Sequence, residues 1–65
     1  MLGKELKYKI FVDGKFFNGT NNYDYAMNRA LGLAMFFGLE FVNTKSPLIM
    51  DKWIGEHMII ITKSL

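Results

Sequence analysis

The chain has 65 residues, no cysteine, a single histidine (His57) and a net charge of +2 from eight basic and six acidic side chains. A chain this short makes one domain (1–65) that buries about 60% of its unfolded surface, with no disulfide and no cluster of zinc ligands to supplement the core. The charge is too mild to drive non-specific nucleic-acid binding, and no apolar stretch is long enough for a membrane-spanning helix.

Residues 5–12 alternate strictly, with Leu6, Tyr8, Ile10 and Val12 on one face and Glu5, Lys7, Lys9 and Phe11 on the other. Period two with β-favouring residues predicts a half-buried strand. Asp13-Gly14 follows, then Lys15-Phe16-Phe17. An Asp-Gly pair between apolar runs predicts a two-residue type I′ hairpin, because that turn needs positive φ at both central positions. A two-residue loop pairs Val12 with Lys15, Phe11 with Phe16 and Ile10 with Phe17. It places Phe17 on the core face and sets Phe11 and Phe16 beside Lys7 and Lys9 on the outer face.

Asn18 to Asn22 reads as a turn cluster that supplies N-cap candidates. A helix is predicted from about Tyr23 to Phe37, ended by Gly38. At 100° per residue Tyr23, Ala26, Met27, Ala30, Leu33, Ala34 and Phe37 share one face, and the three alanines form a small-residue rib against a sheet. Tyr25, Arg29, Gly32 and Phe36 form the opposite stripe, with Asn28 and Met35 beside it. A solvated face carries several charges; this one has Arg29, with Asp24 at its edge.

Leu39 to Thr44 predicts a third strand, with Leu39 and Phe41 facing one way and Glu40 and Val42 the other. Lys45-Ser46-Pro47 breaks it. Leu48 to Lys52 fits a short edge strand, a loop or one helical turn. Met58-Ile59-Ile60-Ile61 is apolar on both faces, which predicts a central strand over His57 to Lys63, and Gly55-Glu56 reads as a second hairpin turn. The predicted class is α+β: a small antiparallel sheet of three to four strands, in ββαβ(β) order, with one helix packed on one face.

No motif for catalysis, cofactor or metal stands out. Asp13 is required by its turn and Asp24 by the first helical turn. Asp51, Glu56 and His57 read as surface polar residues at the entrance to the last strand. The expectation is a non-enzymatic protein with no cofactor and no metal. Ten aromatic rings in 65 residues exceed what so small a core can hide, and displayed aromatics point to a partner. The partner-binding candidates are Tyr25, Arg29, Gly32, Met35 and Phe36 on the helix, and Trp53 after the Pro47 loop. The same stripe would also serve homodimerisation. A competing expectation is a small RNA-binding protein, RNA more than DNA, that uses Lys7, Lys9, Phe11 and Phe16 as a stacking platform on the sheet.

The hairpin Lys7 to Phe17, the helix Tyr23 to Phe37 and the Lys-, Asn-, Phe- and Ile-rich usage, with seven lysines to one arginine, resemble in style the small accessory proteins that phages make to disable host enzymes or defence systems. The resemblance implies an inhibitor or adaptor that blocks a host or defence protein in the cytoplasm of a bacterial host. Many such inhibitors are acidic DNA mimics. The positive charge of this chain departs from that pattern, so the resemblance implies surface occupation rather than charge mimicry. The first seven residues show neither an apolar signal region nor a small-residue cleavage site, which predicts no secretory leader.

Overall fold

The structure, a computed structural model, describes residues 6–64. Glu5, the start of the predicted first strand, and residues 1–4, for which no secretory leader is expected, lie outside the described residues. The elements run β1 (Tyr8–Val12), β2 (Lys15–Thr20), α1 (Tyr23–Phe37), β3 (Glu40–Val42), β4 (Ile49–Ile54) and β5 (Met58–Lys63). They form one five-stranded sheet in the order β2-β1-β5-β4-β3, antiparallel at every pairing. This is the predicted α+β class, with one strand more than expected, because residues 49–54 form a full strand. The apolar run at Met58 to Ile61 is the centre of the sheet, as its two-sided pattern requires.

The Asp13-Gly14 turn has φ of 54° and 85°, the double positive φ of a type I′ hairpin. The expected register holds at Val12–Lys15 and Phe11–Phe16 but not beyond, since Ile10 pairs with Asn18 rather than Phe17. Phe17 is the extra residue of a β-bulge, which re-aims a side chain and twists its strand. The bulge carries β2 on to Thr20, so Asn18, Gly19 and Thr20 are strand residues rather than part of a turn. Phe17 leaves the core and lies exposed at the sheet margin.

The helix keeps its predicted limits because both ends are capped. The Asn22 side chain accepts a hydrogen bond from the Tyr25 N–H. At the other end Gly38 adopts φ 70°, and the Gly38 and Leu39 N–H groups donate to Met35 and Ala34 carbonyls, the two bonds of a Schellman closure. Ala26, Ala30 and Ala34 are buried against Ile10, Ile59 and Ile61, with Met27, Leu33 and Phe37 packed beside them. Burying each large core side chain contributes roughly 1.5–3 kcal/mol.

Pairing register sorts the strand residues onto two faces, since directly opposed residues share a side. Toward the helix face Tyr8 and Lys63; Asn18, Ile10, Ile61 and Asp51; and Lys15, Val12, Ile59, Trp53 and Phe41. A second bulge, at Met50, lies between the Ile49–Thr62 and Asp51–Ile61 pairs. It leaves Ile49 opposite Thr62 on the outer side, while Asp51 and Trp53, in unbroken register from the β4–β5 turn, face inward. Trp53 is 4% exposed and meets the Phe41 ring edge-on at 5.6 Å. The expectation that Trp53 anchors a partner is therefore corrected: its ring fills the core under the β4–β3 end of the sheet.

Candidate interaction site

The outward face of α1 holds together as one surface. Phe36 is 82% exposed, Met35 73% and Tyr25 45%, with Leu31 exposed at the flank. Arg29 sits among them, its guanidinium 5.6 Å from the centroid of Phe17 and 5.9 Å from that of Tyr25. The bulge that expelled Phe17 from the core thus supplies one of two rings that hold the arginine in place. Among the described residues Arg29 has no carboxylate partner. Beside it Phe17, Asn28, Arg29, Gly32 and Leu33 line an open cleft of about 310 Å³. Gly32 adds no side chain to the cleft, and a Cβ placed there would meet no atom within 4 Å. The face thus combines an aromatic ridge, an arginine without a carboxylate partner among the described residues and a cleft at its side.

The second sheet face is not covered by any described element. Across it lie Gly19, Lys9, Thr62 and Ile49; then Phe16, Phe11, Ile60, Lys52 and Val42; then Met58, Ile54 and Glu40. Leu6 joins this face by folding over Gly19, where an added Cβ would come within 2.5 Å of Leu6 Cδ1. Phe11 and Phe16 meet edge to face at 5.9 Å, and Phe16 is 57% exposed. Lys9, Phe11 and Phe16 stand on this face as expected, and exposed Lys7 lies just ahead of β1 with its Nζ 5.9 Å from the Tyr8 ring centroid. Sequence reasoning did not assign Ile49, Ile54, Met58 and Ile60 to any surface. The signal was present in the last strand: a helix on one side of a strand apolar on both faces leaves every second residue, here Met58 and Ile60, pointing away.

Polar groups elsewhere have structural work. Asp51 is 7% exposed and accepts a short hydrogen bond from the Tyr23 hydroxyl, so it is a buried group with its own donor and not a surface residue at the strand entrance. Burial first, then the hydrogen bond and charge of Asp51, push the Tyr23 hydroxyl up to about 12. Asp13 ties the first hairpin to the β4–β5 loop. Its N–H donates to the Met58 carbonyl at 2.8 Å, its Oδ1 accepts from the Met58 N–H at 2.9 Å and its Oδ2 lies 2.7 Å from His57 Nδ1. The His57 ring rests on Phe37, centroids 4.3 Å apart. The His57 hydrogen bond, then that of Met58, hold the Asp13 carboxyl below its usual 3.8.

Among the described residues no three His, Cys, Asp or Glu side chains come close enough to hold a metal ion, and no helix is long and apolar enough to cross a membrane. Comparison of the chain with protein-family models, with curated proteins and with solved structures finds no match.

Proposed function

We propose that the chain is a non-enzymatic binding protein, an inhibitor or adaptor that acts by occupying the surface of a partner protein with the outward face of α1. The observation that carries this reading is the exposure of Tyr25, Met35 and Phe36 around an arginine already held between two rings. A partner that receives the helix in a groove would bury these side chains with little ordering cost, because the helix is capped and Arg29 is already placed. The phage-accessory style of the chain makes a host enzyme or defence component, in the bacterial cytoplasm, the first partner to test.

The decisive experiment is recovery of a partner on the tagged protein from a bacterial lysate, with and without the pair Tyr25→Ala and Phe36→Ala. The expected result is loss of the partner with an unchanged circular-dichroism melt. Retention of the partner by the double variant would refute the helix as the binding face.

The second reading, an RNA-binding protein, is favoured by one observation: Lys9, Phe11 and Phe16 share an uncovered face with Lys7 at its end. It requires a gel shift with single-stranded RNA that weakens steeply with salt and on Phe11→Ala.

A further inference from the structure

The uncovered sheet face has a consequence of its own, independent of the helix stripe. We propose that a second copy of this chain covers it, giving a two-fold dimer with sheets back to back and helices outermost.

The face is apolar where it matters. Ile60 stands at its centre in the middle strand, with Phe11 and Phe16 to one side and Met58, Ile54 and Ile49 around it; Lys9, Lys52 and Glu40 are the charges interspersed. Among the described residues one helix covers one side of the sheet and nothing covers the other, and contiguous apolar patches of this kind mark association surfaces. Self-association is also one of the few ways a chain of this size can enlarge its core.

Area selects the occupant. The five strands, of 5, 6, 3, 6 and 6 residues, at about 3.4 Å per residue and about 4.8 Å spacing present a footprint of about 420 Å² per copy. Two such faces cover about 850 Å² before side-chain relief is counted, and that relief brings the buried area to the order of the 1,000 Å² of a specific interface. The helix stripe offers much less to a second copy. It is about 22 Å long and about 10 Å wide, and two identical convex helices touch only along a line. The sheet, not the helix, is the surface that suits self-pairing, which leaves both helix stripes free on opposite sides of the dimer.

Charge selects the symmetry. With the two-fold axis along β5, Ile60 meets its own copy and each Lys52 lies over the partner's Phe11, because Lys52 and Phe11 flank Ile60 in one row. A lysine over a ring is a favourable contact. An axis across the strands would instead bring Lys52 onto Lys52, like charges in a desolvated layer. Nucleic acid fits the face less well: Lys7, Lys9 and Lys52, set against Glu40, give few phosphate contacts.

Sedimentation equilibrium of the full chain tests the proposal. The expected mass is twice 7.5 kDa, reduced to a single chain by Ile60→Lys and unchanged by Phe36→Ala. Because a lysine in the central strand can also unfold the chain, Phe16→Lys provides a second test on the same face, at a ring 57% exposed in the single chain, where a charge leaves the core untouched. It should likewise give a single chain, with an unchanged circular-dichroism spectrum. A wild-type chain that stays monomeric, a dimer broken by Phe36→Ala, or a dimer that survives Phe16→Lys would each overturn the proposal. So would a monomer that shifts RNA and loses the shift on Phe11→Ala, which would assign the face to nucleic acid. Of these outcomes only a dimer broken by Phe36→Ala bears on partner recovery through Tyr25 and Phe36, because it would assign the helix stripe to self-association.

Discussion

Gly32 offers the sharpest separation of folding from binding. It lies within α1 on the exposed face, and a methyl group placed there meets no atom within 4 Å. Gly32→Ala therefore adds no clash and removes the entropic penalty of glycine in a helix, about 1 kcal/mol. For a domain of this size that corresponds to a rise in Tm of about 4–8 °C. The same methyl projects into the cleft between Phe17, Asn28, Arg29 and Leu33, so a partner that uses the cleft should bind more weakly. A thermal melt followed by circular dichroism at fixed chain concentration measures the first effect, and partner recovery measures the second. Stability should rise while binding falls, a pair of opposite signs that a global change in folding cannot produce. A melt that is unchanged or lowered would refute the reasoning, since it would mean that position 32 is packed in solution and that this helix face is not free.

Three further outcomes follow from the core, the hairpin tie and the Tyr23–Asp51 bond. Trp53→Ala removes a buried indole and should cost about 3–5 kcal/mol, a large part of the roughly 3–10 kcal/mol available to a chain of 65 residues; chemical-shift dispersion in a proton NMR spectrum should collapse or nearly so. Both ends of the pH range should also report specific contacts. The folded carboxyl of Asp13 titrates below its unfolded 3.8, so its contribution is complete above that pH and is lost as pH falls through the folded value; Asp13→Asn, which tolerates the positive φ, should flatten this acid limb in urea melts. Tyr23 titrates at about 12 when folded against 10.0 unfolded, so its contribution is complete below 10 and is lost as pH rises toward 12. Tyr23→Phe should remove that part of the alkaline loss, and a variant with an unaltered alkaline limb would refute the Tyr23–Asp51 assignment.

Local chemistry determines most of the elements without reference to any tertiary contact. The Asp13-Gly14 pair dictated a type I′ turn, Asn22 and Gly38 set the ends of the helix, and the alanine rib named the face that packs. The helix stripe at Tyr25, Arg29 and Phe36 was equally legible, because it needs only a 3.6-residue period and a count of missing charges. Tertiary structure decided what depends on parity between strands. A bulge costs one residue and reverses the facing of all that follow, and nothing in the local pattern marked Phe17 or Met50 as the extra residue. The first bulge sent Phe17 out to Arg29, the second turned Ile49 to the outer face, and the β4–β5 register put Asp51 and Trp53 in the core. The strand order, which leaves Ile60 at the centre of an uncovered face, likewise arises from pairings across 50 residues of chain that no local pattern encodes.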